Sequence, residues 1–296
     1  MTGIIQMKTL FYTLFILLLL NSCVLEEIPK VDLSERTKIE LPSVDDDPQQ
    51  LKVAISAMIS PHKTYELYEF LLEYVSINLN KPIKLIQRKT YAEINNLLKQ
   101  GVLDFAFICT GAYLRAKEEF PIELLVVPIV NGEPYYQAYV IVKKDSEIYS
   151  IDDLEGRSFA FTDPLSNTGH DYIINLVKKM NRSEDDYFGR TVYTYGHDNS
   201  IQSVSSGFVD GATVDGLVFE FLRNESPETV KNLRIIKKSE KFGIPPFVVR
   251  PTLTDSLKKE IRSVFLNMHK NSIGKQLLRT LMIDRFEEGS ESYYKK

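Results

Sequence analysis

The chain has 296 residues, 44% of them apolar and 26% charged, with a formal net charge of −4. That length holds one large or two medium α/β domains with ample core, and the composition is that of a globular body rather than a disordered or fibrous chain. The acidic balance argues against nucleic acid or an anionic membrane surface as partner, so any bound anion must be held by local donors and not by the overall field.

Lys8 supplies a short basic region, and Leu10 to Leu20 is an apolar run of eleven residues. This is too short to span a bilayer comfortably and suits the apolar region of a signal segment. The run ends in Leu20-Asn21-Ser22-Cys23, which resembles the bacterial lipobox, with Asn21 a departure from its commonest form. The expectation is a signal segment over 1–23 with Cys23 diacylated and a lipid-anchored body facing the periplasm or the cell exterior. Both Met1 and Met7 are candidate starts. Residues 24–50 are acidic and contain Pro29, Pro42 and Pro48, the composition of a tether. Of the two cysteines, Cys109 is then left alone, so no intramolecular disulfide is expected. It follows an apolar, strand-like run (102–108) and reads as a buried small hydrophobe.

From Leu51 the pattern is strand (51–58), turn (60–62), and a long amphipathic helix with apolar residues from Tyr65 to Leu79. Strand 83–87 follows, and Thr90-Tyr91-Ala92-Glu93 resembles a capping box opening a helix to Gln100. Then come strand 102–109, a short helix (111–117) and strand 124–129. Strands alternating with helices at this spacing imply a parallel sheet with right-handed crossovers. A second unit comes next: strand 137–143, a brief helix at 151–154, strand 159–162, the turn 163–169, a helix starting near His170, strand 191–195, helix 198–206, strand 211–214, helix 215–224 and strand 233–237. A short strand at 247–249 and two helices, 253–269 and 273–282, complete the chain. The sequence contains no repeat, metal-ligand cluster, dinucleotide-binding glycine loop or P-loop.

The turn after strand 159–162 carries Ser166, Asn167 and Thr168 where the first N–H groups of a helix lack internal partners. Small hydroxyl and amide residues there either cap the helix or donate to an anion, and this stretch alone leaves both readings open.

Several stretches, in order, resemble the phosphonate-binding family of periplasmic solute-binding proteins of ABC transporters. Asp163-Pro164-Leu165-Ser166-Asn167-Thr168-Gly169 is similar to the family's anion loop. Tyr91-Ala92-Glu93-Ile94 with residues 101–106 resembles its first-lobe helix and strand. Residues 196–204 and 207–215 resemble its His-containing helix and following strand, residues 244–250 its returning hinge strand, and residues 283–286 with Tyr293 its ending. The resemblance covers about residues 51–295. It implies an α/β fold of the periplasmic binding protein type II class: two α/β lobes joined by two hinge strands, with the ligand between them. Lobe 1 is then 51–135 completed by 248–296, lobe 2 is 136–247, and the crossings are 135–142 and 246–250.

The resemblance further implies a binding protein and not an enzyme, monomeric, without cofactor or metal, that delivers a phosphonate, phosphate or phosphite to an ABC permease; a sensory lipoprotein of the same fold is the alternative. The implied second-lobe ligands are Ser166, Asn167, Thr168, His197 and Asp215. From the first lobe and crossing, Ser60, Thr110, Tyr113 and Tyr136 are candidates because ligands in open α/β sheets bind beyond the carboxyl ends of strands; Met58, Ile59, Gly111 and Tyr135 lie nearby. Asp215 is also a natural helix N-cap. Two departures from the family pattern, Asn167 within the anion loop and Tyr195-Gly196-His197 before the helix, each remove a hydroxyl donor, which leaves the oxyanion class and opens the choice of ligand. A hydrolase built on Cys109, His170 or His197 is not expected, because the cysteine lies in an apolar run and the histidines show no metal spacing.

Overall fold

The computed structural model describes residues 50–56 and 58–295. The signal, lipobox and tether readings, Cys23 included, lie outside the described residues, apart from Gln50.

Among the described residues, thirteen strands form two large sheets and a small ribbon. The first sheet takes β1 (Leu51–Ile55), β2 (Ile83–Ile86), β3 (Phe105–Phe107) and β4 (Glu123–Ile129). The chain crosses through β5 (Tyr135–Tyr136) into β6 (Ala138–Lys143), β7 (Ser158–Phe161), β8 (Arg190–Tyr193), β9 (Gly211–Asp215) and β10 (Leu233–Lys238). It returns through β11 (Phe242–Gly243) to β12 (Phe247–Val249) and ends on β13 (Arg285–Glu288). The first sheet has the order β13-β4-β12-β3-β1-β2 and the second β10-β6-β9-β7-β8. In each, the βαβ strands pair in parallel, as the helical crossovers require, while the strands that enter and leave the lobe pair antiparallel.

The crossing differs from the sequence reading. Tyr136 pairs with Phe242 and Tyr135 with Gly243, so the ribbon is only two residues deep on each side. Residues 138–142 belong to the second sheet, where Ala138 pairs with Asp215, and Phe247 belongs to the first, where it pairs with Phe107 and Val126. The expected long hinge strands are therefore sheet strands, because their alternating apolar residues bury on both faces. Along β6, Ala138, Val140 and Val142 face one core while Tyr139 and Ile141 face the other. In the first lobe, Phe105, Phe247, Phe265 and Phe286 pack ring on ring, with centroids 4.6 to 6.4 Å apart. Phe265 and Phe286 come from the end of the chain, which is why the C-terminal segment packs with the first lobe.

Eight helices position the site and pack the two lobes: α1 (Pro61–Leu79), α2 (Tyr91–Lys99), α3 (Thr110–Glu119), α4 (Tyr172–Lys179), α5 (His197–Ser206), α6 (Gly216–Glu225), α7 (Asp255–Asn267) and α8 (Ser272–Thr280). Residues 61–62, expected as a turn, open α1 because proline suits the first helical position. The capping box at Thr90 and Glu93 forms as expected. The terminal strand β13 is not legible in the sequence; Arg-Phe-Glu-Glu is too short and too charged to show a strand pattern, and it pairs only because β4 offers an edge.

The two lobes are closed on one another. Asp163 Oδ2 accepts the Tyr91 N–H at 3.0 Å, the His197 N–H donates to the Met58 carbonyl at 2.9 Å, and the Ser60 N–H donates to Asp198 Oδ1 at 2.8 Å. The Asp163 carboxylate thus caps a helix of the opposite lobe. Gly111 allows the closest approach: a Cβ there would stand 2.3 Å from the Leu165 carbonyl oxygen and 2.8 Å from the Asn167 nitrogen. Alanine at this helical position costs nothing in backbone conformation, so Gly111→Ala should disfavour closure alone. We expect hydrogen exchange to quicken at Tyr91 and residues 165–168, while the free energy of urea unfolding stays within about 1 kcal/mol of wild type.

Candidate functional site

The site is built where β1, β3, β7 and β9 end and where β5 crosses. After β7, the Asp163 side chain accepts the Leu165 N–H at 2.8 Å and bends the chain into a tight turn. Ser166 then caps a wide helical turn (Asn167–Asp171): its Oγ accepts the Gly169 N–H at 2.9 Å, and its carbonyl accepts the Asp171 N–H at 3.0 Å. The cap uses only a lone pair of the Ser166 hydroxyl, which also stands beside the Cys109 thiol. The helix expected from His170 therefore starts as this wide turn and becomes regular at Tyr172. Thr213, on β9, holds the loop by donating its hydroxyl to the Thr168 carbonyl at 2.6 Å. A side chain at Gly169 would strike Thr162 and the His197 ring, so glycine is what lets this loop lie against the histidine.

His197 is the first residue of α5, and Asp215 closes β9 and caps α6. Asp215 Oδ1 accepts the Leu217 N–H at 2.7 Å, as a helix N-cap does. The Asp215 N–H donates to His197 Nδ1 at 3.0 Å, and Thr162 Oγ1 lies 3.0 Å from the same nitrogen. Because Nδ1 accepts a backbone N–H, the ring carries its proton on Nε2. That Nε2–H is buried and has no partner within the protein.

It is one of a group. Ser56 Oγ, the Tyr91 and Tyr136 hydroxyls, Thr168 Oγ1 and the Asn167 Nδ2 amide are likewise buried and unpartnered. Burial holds the phenols of Tyr91 and Tyr136 well above their ordinary range, with Cys109 and Asp215 adding to the rise in both. Thr110 and Asn167 stand beside the Tyr136 hydroxyl and partly offset that rise. These groups are therefore neutral hydrogen-bond donors. An unpaired buried polar group costs about 1–3 kcal/mol, so a cluster of them marks a place built for a polar guest.

Not every expected residue points there. The Thr110 hydroxyl donates to the Gly243 carbonyl at 2.7 Å and ties α3 to the crossing. The Tyr113 hydroxyl donates to Glu291 Oε1 at 2.7 Å, with its ring edge-on to Tyr294, so it anchors the chain's end. Ser60 takes part through its N–H to Asp198, as a closing contact.

Ser56, Tyr91 and Asp163 join the site without having been expected there. Ser56 immediately follows β1, and the strand-end rule reaches it once the strand is ended at Ile55 rather than carried to Met58. In the sequence Tyr91 shows as part of a capping box and of the stretch resembling the family's first-lobe helix, and Asp163 opens the stretch resembling its anion loop, but neither is among the expected ligands. Cys109 is buried as expected, but it stands at the N-cap position of α3 beside Ser166 and Asn167: burial pushes its thiol up to about 11, partly offset by the N–H groups of Asn167 and Gly111 and by Ser166.

Two ionisable groups stand out. Burial raises Asp215 from 3.8 to about 7, against the lowering effect of the Leu217 and Val218 N–H groups. Burial lowers His197 from 6.5 to about 3. For an acid whose folded value is raised, the stabilising contribution is present in full below 3.8 and is lost as pH rises through about 7. For His197 the contribution is present above 6.5 and lost as pH falls towards about 3. Asp215→Asn keeps the capping oxygen and removes the charge. It should therefore stabilise the protein above pH 7 by a few kcal/mol, on the order of 2–4, and have little effect near pH 4, as read from urea unfolding at the two ends of that range.

Comparison with known proteins gives the family and the fold. The family described as "ABC transporter, phosphonate, periplasmic substrate-binding protein" matches residues 53–294. The Phosphonates-binding periplasmic protein of Escherichia coli (strain K12) is 32% identical over 168 residues, which are 54% of this chain and 48% of that protein. The chain thus spans about half the length of the curated relative it matches. A binding protein component of an ABC phosphonate transporter from Pseudomonas aeruginosa superposes with a TM-score of 0.78 at 25% identity, covering 82% of each chain. PhnD1 of Prochlorococcus marinus (MIT 9301), solved in complex with methylphosphonate, superposes with a TM-score of 0.77 at 19% identity, covering 84% of this chain and 96% of that one. The fold is the type II periplasmic binding protein fold. With a match that runs through both lobes, this chain belongs to the phosphonate family of periplasmic substrate-binding proteins of ABC transporters.

Proposed function

We propose that this protein captures a phosphonate-class oxyanion (phosphonate, phosphate or phosphite) between its lobes and delivers it to an ABC permease. The observation that carries this reading is the set of neutral, buried, unpartnered donors at the lobe interface: the Tyr91 and Tyr136 hydroxyls, Thr168 Oγ1 and His197 Nε2, with Ser56 beside them. A tetrahedral anion offers several acceptor oxygens and negative charge, and hydrogen bonds to it are stronger than those between neutral partners. Asp215 takes a complementary part. Either it accepts from a protonated ligand oxygen or, when itself protonated, it donates to a dianion, and its raised titration suits both. The ligand in the cleft bridges donors of both lobes, so binding favours the closed arrangement.

The body acts from the cell envelope as a monomer. The Leu20-Asn21-Ser22-Cys23 sequence supports a diacyl anchor at Cys23. Among the described residues no group of His, Cys, Asp and Glu is placed to hold a metal ion, and no helix is long and apolar enough to cross a membrane.

Thr168→Val separates a binding role from a structural one. It removes a hydroxyl that has no partner in the protein and keeps the side chain's shape. The unliganded variant should be as stable as wild type or more so. Its affinity for methylphosphonate, phosphate or phosphite, measured by calorimetry, should fall by about 1.5–3 kcal/mol. Wild-type protein that binds none of the three at micromolar concentrations would remove the ligand class.

A further inference from the structure

A cavity of about 390 Å3 lies between the lobes, with Ser56, Tyr136 and Asp215 on its wall. These three tie it to the polar cluster. The rest of the wall is mostly apolar: Ile59, Tyr68, Phe107, Leu217 and Pro245 line it. Its charged groups are Asp215, Glu133, Glu220 and Lys241. Glu133 is paired with Lys241, and Glu220 with Arg223 at 2.7 Å. The cavity therefore meets the donor cluster at Ser56, Tyr136 and Asp215 and is otherwise walled mostly by apolar residues, and its volume falls within the range of small-molecule pockets. A tetrahedral head group bearing only hydrogen or methyl occupies the donor cluster and leaves the apolar walls without a partner.

We propose that the preferred ligand is a phosphonate whose substituent is uncharged and apolar, several carbons long or aromatic, lying along Leu217 and Phe107. This inference rests on the phosphonate-binding reading above. Asp215 then serves the head group, and the other charged groups on the wall, Glu133, Lys241 and Glu220, are already paired. Burying each added methylene against these walls strengthens binding, up to the length of the cavity.

Calorimetry on the full-length protein tests this with methyl-, propyl-, butyl-, phenyl- and 2-aminoethylphosphonate. Affinity should rise about three- to four-fold per methylene from methyl to butyl, with phenyl at least equal to butyl. Propylphosphonate should bind more tightly than 2-aminoethylphosphonate, which has nearly the same shape but carries an ammonium group. Leu217→Gln should lower the ratio of butyl- to methylphosphonate affinity, and of phenyl- to methylphosphonate affinity, by about five-fold or more. If methylphosphonate binds as tightly as butylphosphonate, or 2-aminoethylphosphonate as tightly as propylphosphonate, the apolar subsite is wrong and the phosphonate reading stands. If no member of the series binds but phosphate or phosphite does, this inference fails and the oxyanion reading stands; if none of these binds, both fail.

Discussion

The hydrogen bond from the Asp215 N–H to His197 Nδ1 organises the second-lobe half of the site. It fixes the tautomer, so the ring presents Nε2–H as a donor, and it joins the end of β9 to the start of α5. The environment that makes this bond useful also makes it costly. The same burial that keeps the ring neutral raises the Asp215 carboxyl, and neither group has an opposite charge beside it. The site is held ready for an anion by neutral donors, and an anionic guest holds the Asp215 carboxyl further towards its protonated form.

Closure depends on equally local contacts. Asp163 turns its own loop through the Leu165 N–H and caps α2 of the other lobe through the Tyr91 N–H. One carboxylate thus shapes the anion loop and reports on whether the lobes are together. Gly111 permits the backbone approach that brings Asn167 against α3. The ribbon of β5 and β11 is short, so a small change in a few backbone angles moves the lobes as bodies. Tyr136 lies on that ribbon, with its hydroxyl among the buried, unpartnered groups.

In the proposed binding mode the polar cluster and the apolar cavity divide the work of recognition. Hydrogen bonds to the head group are directional and fix its class, because a site built of unpaired donors rejects a guest that cannot accept from them. Apolar walls discriminate by size and by the absence of charge, in small steps per carbon atom. Leu217 joins the two functions: its N–H donates to Asp215, and its side chain lines the cavity.

Local patterning is enough to read most of the fold from the sequence. Period-two apolar runs mark the strands, and Thr90 with Glu93 marks a helix start, because these signals come from neighbours in the chain. The anion loop, His197 and Asp215 are legible for a similar reason: each stands at a junction between a strand and a helix. What the sequence could not supply depends on residues far apart. Tyr91 and Asp163 meet only when the lobes close, and Thr110 and Tyr113 are drawn to Gly243 and Glu291, distant in the chain. A hydroxyl reads the same in sequence whether tertiary packing gives it a partner or leaves it free. The sequence alone determined the two α/β units and the chemistry at their strand ends; the tertiary structure decided which donors remain unpaired, because that depends on every group packed around them.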